Sequence, residues 1–252
     1  MLNKNEIVHI TKAVVSSTVF VAILNVFYYM LQGTEHKIIT RLLILLGGNV
    51  IKGGYIQWFT YICFVWAILE IIKLKKRTSA ETSYFSAKLL PENEKHLLMA
   101  SDVLQIHQQM KDFEQKHAKT LLTQLIKNAC AKFRSTKNIS EVLDVINILT
   151  ELHRDSSEMD QTNIRYLVWA IPSVGFIGTV LGISQALMVA NSKDMNAITL
   201  TLGVAFDTTL ISLVLSIILM WLFHDLQKVT DYFHVKSKEY VIENLVNKIE
   251  IN

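Results

Sequence analysis

Apolar residues dominate four stretches of the chain, and each stretch is long enough to cross a lipid bilayer as a helix. They cover residues 13–31, 55–72, 164–190 and 200–223. A hydrocarbon core of about 30 Å needs roughly 20 apolar residues in helical conformation. The pattern therefore predicts an all-α membrane protein with four transmembrane helices. The first two would form an N-terminal transmembrane hairpin within residues 1–72.

The segment between the second and third apolar stretches, residues 73–163, has the composition of a soluble helical domain. Pro91 followed by acidic residues suits the first turn of a helix, and apolar residues then recur at helical spacing. We expect one helix over 92–134, on the order of 60 Å long, and a second helix near 139–160. These two would form a long helical hairpin, beside which a C-terminal helix within 224–252 packs.

Basic residues near the ends of the spans indicate which side of the membrane each loop occupies. The densest cluster directly follows the second span and comprises Lys73, Lys75, Lys76 and Arg77. Because Lys and Arg concentrate in cytoplasmic loops, this cluster places the helical hairpin in the cytoplasm, and four spans then place both termini there as well. The opposite segment, residues 32–54, is too short to span, and we expect it to lie at the interface or to re-enter the membrane.

Composition narrows the possible functions. The chain is 51% hydrophobic with a net charge of only +3, and its scattered charges do not suggest binding to nucleic acid. The histidines lack metal-binding spacing, and no Gly-rich phosphate loop or nucleophile elbow is present. Cys63 and Cys130 lie far apart in unlike surroundings, so a disulfide is not expected. We predict a lipid-embedded chain that is not an enzyme and uses no cofactor or metal.

The third span carries residues that weaken helices. At about 100° per residue, Gly175, Thr179, Gly182 and Ala186 fall in one narrow sector, with Gly178 at its edge. Small residues let another helix approach closely, and the spacing of Gly178 and Gly182 forms a GxxxG pair, which favours helix packing in bilayers. The sequence therefore predicts a helix-packing face on this span.

The last span carries a second stripe of small and hydroxylated residues. Its members follow helical spacing and are Thr201, Ala205, Thr208, Ser212 and Ser216. Two interpretations are open. Hydroxyls in membrane helices often bond their own backbone or join neighbouring helices. Alternatively, the stripes of the two spans form a shared polar crevice, because hydroxyls that donate and accept hydrogen bonds can support an ion path.

Asp207 lies inside the last span but outside the hydroxyl stripe. A carboxylate there costs a few kcal/mol unless it is paired, protonated or hydrated. It is a possible intramembrane acid that binds an ion or contacts another subunit. The other interpretation is a structural acid that is hydrogen-bonded by neighbouring helices or by an outer vestibule.

Two motifs in these spans resemble a known family. IPSVGFIGTVLGI (171–183) resembles the Pro-x-x-Gly-x-x-Gly-Thr-Val-x-Gly signature of the third span of MotA and its counterpart in TolQ and ExbB. AFDTTLISL (205–213) resembles the Ala-Leu-x-Thr-Thr-x-x-Gly-Leu pattern of the following span, with Ser212 at the usual glycine. Four spans are closest to the MotA branch. By this resemblance, Thr179 and Thr208 match hydroxyls that face a partner's aspartate, and Pro172 and the glycines match residues that permit close packing and a bend.

The resemblance implies a bacterial inner-membrane complex in which five copies of this chain surround two copies of a bitopic partner of the MotB, TolR or ExbD type. Ion flow, of H⁺ or Na⁺, would be coupled to mechanical work through that partner. The pore-forming hairpin would be residues 164–223, with Thr179, Thr208, Thr201 and Ser212 along the ion path. The packing residues would be Pro172, Gly175, Gly178, Gly182, Ala186 and Ala205. The alternative is an oligomeric membrane scaffold that conducts no ions and recruits partners through its cytoplasmic helices.

Overall fold

The computed structural model of the chain describes residues 4–31, 37–87, 89–91, 97–117, 119–190 and 194–250. Eight α-helices account for most of these residues: α1 (Lys4–Leu31), α2 (Lys37–Leu45), α3 (Tyr55–Thr82), α4 (Ala100–Lys116), α5 (Leu121–Thr136), α6 (Ile139–Asp160), α7 (Thr162–Ala190) and α8 (Met195–Asn244). A π-helical turn (Val50–Gly54) precedes α3, and short 3-10 turns follow α3 and α8. The predicted all-α fold class is confirmed.

Four helical stretches are long and apolar enough to cross a membrane. They are Glu6–Leu31, Tyr55–Ala87, Ile139–Ala190 and Met195–Lys248. Each contains one of the four spans that the sequence predicts. Many large apolar side chains on these helices are exposed, including Trp169, Phe176 and Ile217, as expected where lipid or other membrane helices provide the surroundings.

The chain divides into two compact units. The membrane unit consists of Met1–Lys73 and Thr162–His224. The second unit, which we call the helical domain, consists of Leu74–Gln161 and Asp225–Asn252. The sequence places residues 32–54 between the first two spans. The described part of this segment includes α2 and the π-helical turn and belongs to the membrane unit. The first residues of that segment, 32–36, lie outside the described residues.

The core of the helical domain is built around α5. Its Leu121, Leu122, Leu125 and Ile126 are completely buried, and α5 packs against both α4 and α6. The C-terminal part of α8 completes this core, with Phe233 among its contributors. Burying apolar side chains is the main stabilising term available to a domain of this size.

The expected single helix over 92–134 is wrong, because the chain forms two helices there. Residues 92–96 lie outside the described part, α4 begins at Ala100 and α5 begins at Leu121. Thr120 is the N-cap of α5, and its hydroxyl accepts a hydrogen bond from the Thr123 amide at 3.3 Å. A side chain that satisfies a first-turn amide favours a helix start at this point. The second predicted helix, near 139–160, is confirmed as α6.

The end of α8 is fastened to the segment that precedes α4. The helix is continuous from Met195 to Asn244, so the fourth span and the predicted C-terminal helix are one element. Beyond it, the Leu98 amide donates to the Lys248 carbonyl at 2.7 Å, and the Glu250 amide donates to the Leu98 carbonyl at 3.1 Å. These bonds form an isolated parallel bridge between Leu98 and Ile249. The bridge joins the segment after α8 to the segment before α4.

Two histidines face each other inside the helical domain, His153 on α6 and His234 on α8, with ring centroids 6.2 Å apart. Ser157 Oγ donates to the His153 carbonyl at 2.9 Å, so it accepts from His234 Nε2 at 3.3 Å. The Nδ1 atom of His234 is then unprotonated, buried and without a partner among the described residues. Burial lowers the pKa of both histidines, and the charge of His153 lowers the pKa of His234 further.

Acidification should therefore destabilise the helical domain. Since both folded-state pKa values lie below the ordinary value of about 6.5, the unfolded chain takes up protons first. The stabilisation is complete above about pH 6.5 and is lost as the pH falls through the folded-state values. Hydrogen exchange of α6 amides in the full-length protein, corrected for intrinsic rates, should speed up as the pH falls below about 6.5. His234→Gln should flatten this dependence; identical profiles for the two proteins would refute the assignment.

Candidate functional site

Helices α7 and α8 pack on each other through the small faces that the sequence predicts. At three points a β-carbon on the glycine would lie within 3.0 Å of its neighbour: Gly175 beside Ser212, Gly178 beside Thr208 and Gly182 beside Ala205. Real β-carbons do not come so close, so larger residues would force the helices apart. Ala186, on the same face of α7, is also buried. The packing faces therefore meet each other within one chain.

Most hydroxyls of the α8 stripe bond their own backbone. The donor–acceptor pairs are Thr201 to the Ala197 carbonyl at 2.8 Å, Thr208 to the Ala205 carbonyl at 2.7 Å, and Ser212 to the Thr209 carbonyl at 2.9 Å. Thr208 and Ser212 are 2% and 0% exposed, respectively, in the contact with α7. At these two positions the geometry corresponds to the first interpretation of the stripe, in which hydroxyls support helix packing.

Ser216 has a different role, because it bonds across to α7 at the position of the proline. Pro172 lies inside α7 and has no amide hydrogen, so the carbonyl four residues earlier, that of Val168, lacks its helical donor. Ser216 Oγ donates to that carbonyl at 3.3 Å. An unsatisfied carbonyl is costly in a membrane, and α8 supplies the missing donor.

The threonine predicted on α7 meets a threonine that the sequence stripe did not include. Thr179 Oγ1 contacts Thr209 Oγ1 and lies 3.1 Å from the Ala205 carbonyl. Thr209 Oγ1 lies 2.9 Å from the Gly175 carbonyl. Both threonines are half-buried at the edge of the α7–α8 contact. A signal was available, because Ala205, Thr209, Ser212 and Ser216 also follow helical spacing.

The two threonines form a hydrogen-bonded row with fewer protons than contacts. Each hydroxyl has one proton and two acceptor positions. Four contacts join these two hydroxyls and the Ala205 and Gly175 carbonyls, the longest of them from Thr179 Oγ1 to the Gly175 carbonyl at 3.5 Å. Only two hydroxyl protons are available for them, so the hydroxyls have alternative orientations and spare acceptor capacity. We call this pair of residues the threonine pair.

Asp207 is paired by a residue that the sequence did not assign to it. Both carboxylate oxygens accept from the guanidinium of Arg41 on α2, one of them at 2.7 Å. The Asp207 side chain is 4% exposed, whereas that of Arg41 is 54% exposed. Arg41 also borders a cavity of about 610 Å³ whose wall includes Thr201. The structure thus matches the interpretation of Asp207 as an acid that a neighbouring helix satisfies.

The chain is a multi-span helical membrane protein whose last two spans bury polar groups against each other, a class that includes ion channels. The model of the MotA/TolQ/ExbB proton channel family matches residues 107–237, just over half of the 252 residues. The chain belongs to the MotA/TolQ/ExbB proton channel family, whose members are channel-type proteins rather than enzymes. Comparisons with curated proteins and with solved structures found no match.

The bond between Ser216 and the Val168 carbonyl predicts coupling between positions 172 and 216. Ser216→Ala should lower stability by about 1 kcal/mol while Pro172 is present, because a buried carbonyl loses its donor. In the Pro172→Ala background, the restored amide satisfies Val168, and the same change should cost almost nothing. Unfolding of the four proteins in mixed detergent micelles measures the difference.

Ser212→Ala is the matched control for this cycle, because Ser212 bonds a carbonyl of its own helix. Its cost should be the same with proline or alanine at position 172. An equal cost of Ser216→Ala in both backgrounds would contradict the assignment of Ser216 as the substitute donor.

Proposed function

We propose that this chain is the ion-conducting subunit of an inner-membrane stator or motor complex, which couples ion-motive force to mechanical work through a bitopic partner. Membership of a proton channel family supports conduction. The observation that carries the proposal is the threonine pair, a half-buried hydroxyl contact between the last two spans with spare acceptor capacity. A titrating group from a partner helix could bond to such a contact without a fixed charge on this chain.

The positions of the hydroxyls divide the predicted ion-path residues into three groups. Thr179 is half-buried and, together with Thr209, is proposed to face the ion path. Thr208 and Ser212 are buried between α7 and α8 and are proposed to set the close packing. Thr201 borders the cavity beside Arg41, where it would contact water rather than the partner.

The assembly that we propose contains five copies of this chain and two copies of a bitopic partner with a transmembrane aspartate. The chain would lie in a bacterial inner membrane with both termini in the cytoplasm. Large apolar side chains on the outward faces of α7 and α8 support contacts with lipid or further helices; they include Phe176, Ile177, Phe206 and Leu210. Either H⁺ or Na⁺ is compatible with hydroxyl and carbonyl oxygens.

A scaffold without conduction is the second candidate function. The observation that favours it is the local bonding of Thr201, Thr208 and Ser212, whose hydroxyls are satisfied by their own helix. In this case the threonine pair would also serve only to join α7 to α8. The two functions differ in whether the pair's hydroxyls, and not merely its volume, are needed.

Valine substitutions test the proposed conduction, because valine keeps the shape of threonine and removes the hydroxyl. Thr179→Val and Thr209→Val should each lower proton flux by about fivefold to tenfold, as expected for one lost hydrogen bond along the path. Thr208→Val is the matched control and should leave flux near the parent value, since its hydroxyl bonds only its own helix. Flux is measured in liposomes that contain the chain, its co-expressed neighbouring bitopic protein and a pH-sensitive dye.

Proton flux no higher than that of protein-free liposomes, in the assembled parent as in the three variants, would favour the scaffold. Parent-like flux in all three variants would contradict the proposed role of the two hydroxyls. A flux loss confined to Thr208→Val would contradict the assignment of the path to the threonine pair.

Native mass spectrometry of the purified complex tests the assembly. We expect five copies of the chain, joined by two partner chains when a neighbouring bitopic protein is co-expressed. A monomer or dimer that recruits no partner would contradict the motor assignment and leave the scaffold as the better account.

A further inference from the structure

The ion pair between Arg41 and Asp207 joins residues that are 166 positions apart in the chain. A counter-charge stabilises an ionised carboxylate in a membrane helix, and a two-pronged guanidinium contact fixes both distance and orientation. Removing one partner would leave the other charge uncompensated. The pair therefore constrains where α8 can lie relative to α2.

The segment that carries Arg41 is itself held by α1 and α3. We call residues 37–54 the brace; they comprise α2, the turn after it and the π-helical turn. Three side-chain bonds fasten it: Asn49 Nδ2 to Tyr28 OH at 3.3 Å, Gln57 Nε2 to the Leu45 carbonyl at 3.3 Å, and Tyr61 OH to the Leu46 carbonyl at 3.0 Å. These three bonds hold the brace to α1 and α3 and do not involve α8.

A second contact joins the brace to α8. Gly53 adopts a φ of +118°, and a β-carbon there would lie within 3.0 Å of the Val204 side chain. Val204 and Asp207 are three residues apart and so lie on the same face of α8. The brace therefore touches one face of α8 at two successive points.

The threonine pair lies on the other side of the same helix. Thr209 is two residues beyond Asp207, which corresponds to a rotation of about 200° around the helix axis. One face of α8 is held by the brace through Asp207, and nearly the opposite face meets α7 through Thr209. A rotation or a one-residue slip of α8 would break both contacts together.

We propose that the brace sets the register of α8, and that Arg41 and Asp207 are positioning residues that keep Thr209 against Thr179. This inference rests on the proposed function for its consequence, since the threonine pair is the proposed ion path. The geometry of the pair is measurable without ion flow. In this proposal Asp207 fixes the position of α8, and the residue that binds the ion belongs to the partner.

Disulfide cross-linking of Thr179→Cys with Thr209→Cys reports this register directly. The hydroxyl oxygens of the pair are in contact, so cysteines at these positions are within reach of a bond. The parent protein is the full chain with both native cysteines replaced by alanine, oxidised with copper phenanthroline in membranes. Arg41→Gln should slow cross-linking by roughly threefold or more, as expected for coupled residues.

Two further variants keep the test valid if a single charge left unpaired prevents folding. Arg41→Gln combined with Asp207→Asn leaves no uncompensated charge. It should still slow cross-linking, because the two-pronged contact between the two side chains is lost. Arg41→Asp combined with Asp207→Arg restores opposite charges and should recover part of the parent rate. Lys75→Gln is the control, since it removes an exposed ion pair with Asp225 in the helical domain.

Parent-like cross-linking in Arg41→Gln and in the doubly neutral variant would overturn the brace. Flux measurements on chains with native threonines separate the two proposals. Slowed cross-linking together with a parent that conducts no protons would refute the proposed function and leave the brace intact. Unchanged cross-linking with normal flux would refute the brace and leave the function intact.

Discussion

The membrane unit depends on one constraint, the close approach of α7 to α8. Three glycines of α7 face Ser212, Thr208 and Ala205 at distances that leave no room for a β-carbon. Lipid offers no hydrophobic drive between helices, so contact at short range and buried hydrogen bonds must supply the association. The threonine pair, Thr208, Ser212 and Ser216 all lie in this contact.

The same approach explains why a span can contain both a proline and several glycines. These residues weaken a helix in isolation, yet α7 continues unbroken from Thr162 to Ala190. The glycines admit α8, and α8 then supplies the serine that satisfies the carbonyl freed by Pro172. Local instability and tertiary stabilisation thus arise from the same set of residues.

The sequence was sufficient for the features that depend on local pattern. Four apolar stretches of spanning length predict the four long helices, and a 3.6-residue period identifies the small face of α7. The break between α4 and α5 was missed because the capping hydroxyl of Thr120 competes with a regular apolar period that runs past it. Thr209 was missed because two helical stripes share Ala205, Ser212 and Ser216, and only the contact with α7 selects between them. Arg41 was not assigned to Asp207 because a pairing over 166 residues leaves no periodic trace.

The bond from Ser216 to the Val168 carbonyl also restricts the order in which the chain can evolve. A lineage that first replaces Pro172 regains a backbone donor, and Ser216 is then free to change. A lineage that first replaces Ser216 passes through a form with an unsatisfied carbonyl inside the membrane, which selection disfavours. Homologues with alanine or another apolar residue at the position of Ser216 should therefore be those that have already lost the proline.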